Sequence, residues 1–164
     1  MTTTNDDSLL VLAGRLGAAA LARGVTIATA ESCTGGMVAG AITAIAGSSA
    51  WFERGFVTYS NLAKEQQLGV PASTIERYGA VSEETAKAMA EGALRHASAQ
   101  WAVAVTGVAG PDGGSAEKPV GTVWFAWAGP GRSEALRRHL GGDRQAVREA
   151  SVRVALEGLV DRLA

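Results

Sequence analysis

The part of the chain richest in reactive side chains is residues 30–36, Ala30-Glu31-Ser32-Cys33-Thr34-Gly35-Gly36, which follow the apolar run 25–29. This stretch combines two hydroxyls, a thiol, a carboxylate and two glycines at a predicted change from strand to helix. Ligands of α/β sheets collect beyond the carboxyl ends of strands, where a helix N-terminus offers unpaired N–H groups and the positive end of its dipole. A hydroxyl nucleophile on such a turn would attack beside donors that stabilise an oxyanion.

Ser32 is the first candidate nucleophile, and a serine hydroxyl needs a base to activate it. The histidines, His96 and His139, lie outside the segments that combine polar residues with glycine, so a Ser-His-Asp triad is disfavoured and both are expected at the surface. Lys64 is the better base because burial or a second cation lowers a lysine pKa, and Tyr59 could relay the proton or hydrogen-bond the oxyanion. The alternatives are that Ser32 only caps a helix and that Lys64 is solvated.

Cys33 is the only cysteine, which excludes an internal disulfide and suits a reducing cytoplasm. A free cysteine in an apolar setting is more often inert packing than a nucleophile, so a catalytic role for its thiol is the less favoured interpretation. The sequence contains no Cys/His/Asp cluster with metal-ligand spacing, so no bound metal is predicted.

The loop of residues 106–115 is dense in glycine and resembles a phosphate cradle, because glycines let backbone N–H groups approach an anion. It matches neither the Walker A motif nor the dinucleotide-binding fingerprint, and a flexible hairpin-like connection is the alternative. Arg144 stands at a predicted helix start, where cations are disfavoured, so its side chain is expected to point at an anion rather than serve the helix. An exposed arginine is the alternative.

Composition places the chain among globular proteins of about one domain. Of its 164 residues, 47% are hydrophobic and 19% charged, which is enough to bury a core without disulfide or metal support. The net charge of −1 argues against a nucleic-acid partner held by a broad cationic face. Residues 1–7 are polar and predict a loose tail rather than a secretory signal, and no apolar run is long enough to span a membrane.

The pattern of apolar residues predicts alternating strands and helices. Strands are predicted at 25–29, 56–59, 101–105, 120–128 and 133–140. Helices are predicted from Ser8 to a stop at Gly24 and at residues 37–46, 61–68 and 71–77. Two further helices are predicted to begin after N-caps at Ser82 and Asp143. The first strand–helix–strand unit predicts a parallel pair with a right-handed crossover, and the last two strands predict an antiparallel hairpin. If the first three strands are parallel neighbours, the polar or glycine-rich segments after the strands line one pocket: residues 31–36, 59–64, 106–114 and 141–144.

Four motifs in these segments closely resemble the CinA C-terminal-domain family, in the same order and over nearly the whole chain after the tail. They are Ala30-Glu31-Ser32-Cys33-Thr34-Gly35-Gly36; Tyr59-Ser60-Asn61 with Lys64; Thr106-Gly107-Val108-Ala109-Gly110-Pro111 with Gly113-Gly114 and Lys118-Pro119-Val120-Gly121-Thr122-Val123; and Gly142-Asp143-Arg144. The resemblance implies a single domain over residues 8–164. It also implies a three-layer α/β/α fold around a mixed, largely parallel sheet.

The resemblance further implies an activity, the hydrolysis of the carboxamide of nicotinamide mononucleotide to nicotinic acid mononucleotide and ammonia. It implies that Ser32 is the nucleophile, that Tyr59 and Lys64 assist it, and that Thr106 and Arg144 meet the substrate. No cofactor is expected. A pyridine-nucleotide-binding regulatory module without turnover and a thiol enzyme that uses Cys33 are the other hypotheses.

The expected catalytic residues are therefore Ser32, Lys64 and Tyr59. The expected substrate-binding residues are Glu31, Cys33, Thr34, Gly35, Gly36, Thr106, Gly107, Gly110, Gly113, Gly114 and Arg144. The expected partner is the small-molecule substrate, with no nucleic acid or membrane. Self-association, most simply as a dimer, is also expected because the small apolar-rich domain contains Trp51, Phe52, Trp124 and Trp127.

Overall fold

The computed structural model describes residues 5–164, which form helices on both faces of one sheet. The elements in chain order are α1 (Asn5–Arg23), β1 (Ile27–Glu31), α2 (Met37–Thr43), β2 (Phe52–Val57), α3 (Asn61–Leu68), α4 (Ala72–Tyr78), α5 (Glu83–His96), β3 (Trp101–Gly107), β4 (Thr122–Gly129), β5 (Arg132–His139) and α6 (Arg144–Leu163). A 3-10 turn, Ser48–Ala50, precedes β2.

The sheet has the strand order β2-β1-β3-β4-β5 and is mixed, as predicted. Strand β1 pairs in parallel with both β2 and β3, whereas β4 pairs antiparallel with β3 and β5. Two reversals bring β5 back to the direction of β1, β2 and β3. The carboxyl ends of these four strands therefore lie at one edge of the sheet, which confirms the predicted grouping of the segments that follow them.

Two hydrophobic clusters, one on each face of the sheet, complete a three-layer α/β/α fold. Along β3, Val103 and Val105 face the cluster that contains α1, α2 and α6, while Ala102 and Ala104 face the cluster that contains α5. This alternation follows from the two-residue period of a strand. The small alanine side chains let α5 pack closely against the sheet.

The N-caps of α3, α5 and α6 are the residues predicted from the sequence. The side chains of Ser60, Ser82 and Asp143 accept hydrogen bonds from the third residue beyond them at the starts of α3, α5 and α6. Each cap satisfies one of the N–H groups that a helix start leaves unpaired. Gly69 has φ +68° and ends α3 as predicted.

Several element boundaries differ from the predictions. Strand β1 begins and ends two residues later than predicted, since the N–H of Val25 donates to Ala20 in a turn after α1. Strand β2 begins four residues earlier, at Phe52, because pairing with β1 extends along that segment. Helix α2 ends at Thr43 rather than residue 46. Helix α1 begins at Asn5, before the predicted start at Ser8, and residues 1–4 of the predicted tail lie outside the described residues.

Two of the aromatic residues behind the expected self-association lie inside the protein's own core. Trp51 and Trp127 are 1% and 2% exposed. The indole N–H of Trp127 donates to the carbonyl of Ala155 in α6. These two side chains therefore pack the monomer, and the dimer remains a prediction without their support. In the part of the chain that the structure describes, no helix is both long and apolar enough to cross a membrane.

Candidate active site

A cavity of about 350 Å³ lies at the sheet edge where the carboxyl ends of β1, β2 and β3 meet. It brings together ten of the residues expected at the site: Ser32, Cys33, Tyr59, Lys64, Thr106, Gly107, Gly110, Gly113, Gly114 and Arg144. Because these residues come from four segments far apart in the sequence, the topology of the sheet is what assembles the cavity.

Lys64 is the most unusual residue of the cavity, because its side chain is only 1% exposed. It is the fourth residue of α3, and helical side chains lean toward the helix N-terminus, so Lys64 reaches back toward the end of β2. Its Nζ lies 3.0 Å from Ser32 Oγ, 3.1 Å from the Thr58 carbonyl and 3.2 Å from the Tyr59 carbonyl. The predicted alternative of a solvated Lys64 is therefore wrong.

The surroundings of Lys64 suit a neutral amine. Burial lowers the pKa of Lys64 from its ordinary 10.5, and the nearby Cys33 thiol opposes this to a smaller extent. A neutral amine has two N–H donors and one lone pair. In the structure Nζ donates to the carbonyls of Thr58 and Tyr59 and to Ser32 Oγ. In the neutral form, two N–H groups would serve the carbonyls and the lone pair could accept the Ser32 Oγ–H. That neutral-form arrangement is what a general base for Ser32 would require.

Ser32 lies on the turn between β1 and α2, where its N–H continues the sheet by donating to the Val105 carbonyl at 2.9 Å. Helix α2 begins five residues later, and its N-cap is Gly36 with φ +106°. Ser32 is therefore not a helix cap, which removes that alternative. Its hydroxyl is held between the Lys64 amine and the Tyr59 carbonyl, the latter at 3.4 Å.

Glu31 turns its carboxylate away from the cavity and under the start of α2. The side chain is 1% exposed and accepts hydrogen bonds from Thr34 Oγ1 at 2.6 Å, Val38 N at 2.8 Å and Ala39 N at 3.0 Å. The expected substrate-binding residues Glu31, Thr34, Gly35 and Gly36 do not line the cavity.

The N–H groups at the start of α2 are consequently occupied within the protein. Gly35 N donates to the Ser32 carbonyl and Met37 N to the Thr34 carbonyl, both at 3.0 Å. With Val38 and Ala39 bound to Glu31, the N–H groups of Gly35, Met37, Val38 and Ala39 all have partners within the protein. A carboxylate at the helix N-terminus satisfies the dipole internally.

Cys33 lines the cavity but is only 6% exposed, and burial, the largest influence, raises the pKa of its thiol to about 11. A thiol with such a pKa stays protonated near neutral pH, and the thiolate is the nucleophilic form. The structure therefore favours the packing interpretation of Cys33 over the thiol-enzyme hypothesis.

The opposite wall of the cavity is the loop between β3 and β4. Thr106 donates its hydroxyl to the Ala80 carbonyl at 2.8 Å, and Val108 makes backbone hydrogen bonds with Thr122 and Gly121 at 2.9 and 2.7 Å. A Cβ on Gly110 would approach Val120 to within 2.4 Å, and its φ of +83° also requires glycine. These contacts fix the loop, which argues against a flexible connection.

Arg144 bridges the mouth of the cavity. Asp143 caps α6, so Arg144 is the first helical residue, and its side chain turns away from the helix. Nη1 donates to the Gly110 carbonyl at 2.9 Å and Nη2 lies 3.4 Å from the Tyr59 hydroxyl. The side chain is exposed, as in the alternative interpretation, and it lines the cavity, so its role toward an anion stays a prediction.

Sequence reasoning missed other residues near the site. Val81 lines the cavity from outside the predicted segments, whereas Asn61 and Asp112 lie within the predicted segments 59–64 and 106–114 without having been singled out. Arg148 of α6 donates from Nε to the Cys33 carbonyl at 3.1 Å. Its position one helical turn after Arg144 was the available signal.

The two histidines are both exposed and lie outside the cavity lining, as predicted. Within residues 5–164, no group of three His, Cys, Asp or Glu side chains is placed to hold a metal ion. The hydroxyl of Ser32 and the amine of Lys64 are in contact at the cavity.

The fold and the site together define a three-layer α/β/α domain with a buried lysine against a serine at the ends of parallel strands. The chain belongs to the CinA C-terminal domain family, whose model matches residues 10–163. It is 57% identical over 156 residues to the nicotinamide-nucleotide amidohydrolase PncC of Escherichia coli (strain K12), covering 94% of each chain. It is 54% identical over 154 residues to the protein of the same name from Pseudomonas putida, covering 94% of this chain and 96% of that one.

The fold is also that of solved members of the superfamily. The crystal structure of the competence/damage inducible protein CihA from Agrobacterium tumefaciens matches with a TM-score of 0.92 at 48% identity. The match covers 98% of this chain and 97% of that chain. The three-layer fold is therefore common to this chain and to relatives solved by crystallography.

Proposed function

We propose that this protein hydrolyses the carboxamide of nicotinamide mononucleotide, releasing ammonia and nicotinic acid mononucleotide. The names of its relatives in Escherichia coli and Pseudomonas putida support this substrate class. The observation that carries the chemistry is the 3.0 Å contact between Lys64 Nζ and Ser32 Oγ in a cavity of about 350 Å³. A concave site of this size suits a small-molecule substrate.

The first half of the proposed reaction is acylation of Ser32. Neutral Lys64 accepts the hydroxyl proton while Ser32 Oγ attacks the amide carbon, forming a tetrahedral intermediate. The Lys64 ammonium then gives that proton to the leaving nitrogen. The C–N bond breaks, ammonia departs, and the nicotinoyl group remains as an ester on Ser32.

The second half is hydrolysis of that ester. A water molecule attacks the carbonyl carbon while neutral Lys64 takes one of its protons. The C–O bond to Ser32 then breaks, and Lys64 returns the proton to the serine oxygen. Nicotinic acid mononucleotide leaves, and both side chains are restored to their starting protonation states.

The remaining cavity residues would bind and orient the substrate. Tyr59 presents its hydroxyl beside Arg144 and is placed to hydrogen-bond the oxyanion or the substrate, and Cys33 contributes its backbone beside the nucleophile. Arg144 and the glycine loop would hold the phosphate, because a guanidinium and backbone N–H groups are suitable partners for a phosphate anion. All of these roles are performed by this chain's own residues.

The test compares ammonia release from nicotinamide mononucleotide by the wild-type protein and by Ser32→Ala. We expect turnover in the wild type and a loss of at least ~10³-fold in the variant. Undiminished turnover in Ser32→Ala would refute the nucleophile assignment. Binding of the nucleotide without turnover in the wild type would instead support a regulatory module.

A further inference from the structure

We propose that Glu31 and Arg148 form a two-sided clamp on the nucleophile turn, residues 32–36, and act as positioning residues for Ser32. Neither side chain is required to touch the substrate in this role. Because the inference rests on the proposed function, its test also includes a measurement that does not depend on turnover.

On the Glu31 side of the clamp, a buried carboxylate accepts hydrogen bonds from the turn and from the first residues of α2. Oε1 accepts from Thr34 Oγ1 at 2.6 Å and Val38 N at 2.8 Å, and Oε2 accepts from Ala39 N at 3.0 Å. The two oxygens of the carboxyl group together accept all three of these hydrogen bonds. A glutamine would turn one NH₂ group toward a donor and lose at least one of these bonds.

The Arg148 side of the clamp comes from α6, more than a hundred residues away in the chain. Nε donates to the Cys33 carbonyl at 3.1 Å and Nη2 lies 3.5 Å from the Thr34 carbonyl. In a trans peptide the carbonyl and the N–H point in opposite directions. By holding two successive carbonyls toward α6, Arg148 fixes the planes of the two peptide bonds that directly follow the Ser32–Cys33 bond.

The two side chains restrain the turn through different groups: Glu31 accepts hydrogen bonds from its donors, and Arg148 donates to its carbonyls. Glu31 ties the turn to α2, Arg148 ties it to α6, and Gly35 N closes it by donating to the Ser32 carbonyl at 3.0 Å. Ser32 Oγ is thereby held 3.0 Å from Lys64 Nζ. Small displacements of reacting groups are costly, since about 1 Å can reduce a rate by about 10²-fold.

A direct substrate contact by Arg148 is the competing role. Arg148 and Arg144 both line a neighbouring cavity of about 470 Å³. If Arg148 bound the substrate phosphate, its removal would weaken binding. A positioning residue instead lowers the rate of the bound complex, so kcat and KM distinguish the two roles.

The kinetic test uses Glu31→Gln, Arg148→Met and Arg148→Lys, with Arg162→Met as the matched control. Arg162 is also an α6 arginine with a carbonyl partner, but it lies over Trp127 at the far end of the helix. We expect kcat to fall about 10- to 100-fold in Glu31→Gln and Arg148→Met with KM nearly unchanged. Arg148→Lys should recover part of kcat, and Arg162→Met should retain it at a comparable Tm.

Three kinetic results would overturn the proposal. They are a rise in KM at constant kcat, a loss of kcat in Arg162→Met equal to that in Arg148→Met, and wild-type kcat in both clamp variants. The first result would mean that Arg148 binds the substrate. The second would mean that the loss of kcat comes from general destabilisation of the protein.

Amide hydrogen exchange tests the clamp without any assay of turnover. In the wild type, the amides of Val38 and Ala39 should exchange slowly because Glu31 accepts their hydrogen bonds. Glu31→Gln should accelerate exchange at one or both positions while the β3 amides stay protected. Unchanged protection would overturn the clamp. Absence of wild-type turnover with intact protection would instead refute the proposed function and leave the clamp's structural part standing.

Discussion

Replacing Lys64 by methionine removes the proposed base while retaining a long unbranched side chain. In the wild type, the amine is within 3.2 Å of three oxygen atoms, and only the Ser32 hydroxyl can donate a proton to it. Methionine cannot accept that proton. General base catalysis contributes about 10²- to 10⁴-fold, which corresponds to about 2.7–5.4 kcal/mol of activation free energy. We therefore expect kcat/KM of Lys64→Met to fall by at least about 10²-fold.

The same substitution should change how the stability of the protein depends on pH. Burial lowers the pKa of Lys64 in the native state, so below 10.5 the unfolded chain binds the extra proton more readily than the native protein does. Wild-type stability should therefore rise with pH between the lowered native pKa and 10.5. Lys64→Met should lose this rise with pH. At neutral pH, the stability gained by removing a desolvated amine is opposed by the loss of the donor to the Thr58 and Tyr59 carbonyls.

The assay is continuous ammonia release, with differential scanning fluorimetry of both proteins as the control for folding. Lys64→Arg is the matched variant, because it keeps a long basic side chain that stays protonated and so cannot supply a neutral base. It should be as inactive as Lys64→Met. A loss of less than about tenfold in either variant would refute Lys64 as the base and shift that role to Tyr59.

Three further outcomes follow from the site. The kcat/KM of the wild type should rise with pH because the deprotonated amine is the active form, and the midpoint of this rise should lie below the ordinary lysine pKa of 10.5. A midpoint at or above 10.5 would contradict the assignment of Lys64 as the base. Cys33→Ala should retain activity, and iodoacetamide should alkylate the native thiol slowly because burial raises its pKa to about 11; rapid inactivation by alkylation would contradict this. Arg144→Ala should raise KM for nicotinamide mononucleotide about 10- to 100-fold and leave KM for the dephosphorylated riboside unchanged, whereas equal effects on both would remove Arg144 from the phosphate.

The sheet edge that carries the site was predictable because its signals are local. Apolar strand runs followed by polar or glycine-rich segments, together with caps at Ser60, Ser82 and Asp143, determine where elements begin and which strand ends carry chemistry. The residues at which strands begin and end were less predictable, because they depend on pairing with neighbouring strands. Phe52 belongs to β2 through its pairing with Ile27, and nothing in its immediate neighbours records that contact.

The hydrogen bonds between side chains and backbone inside the site were harder to predict. Glu31 precedes the proposed nucleophile and was expected at the substrate, whereas its carboxylate accepts hydrogen bonds from Val38 N and Ala39 N of α2. The contact between Arg148 and Cys33 joins residues 115 positions apart, so the helical spacing of Arg148 from Arg144 could point to the site but not to this partner. The Lys64–Ser32 contact likewise joins two segments that only the parallel pairing of β1 and β2 brings together.

The measurement that tests the central claim most directly is rapid-quench peptide mass mapping of the wild-type protein during turnover of nicotinamide mononucleotide. The proposed reaction predicts a transient nicotinate mononucleotide ester on the peptide that contains Ser32, formed at the rate of the first ammonia release and absent from Ser32→Ala. Turnover with the acyl group on Cys33, or steady ammonia release by Ser32→Ala at the wild-type rate, would contradict it.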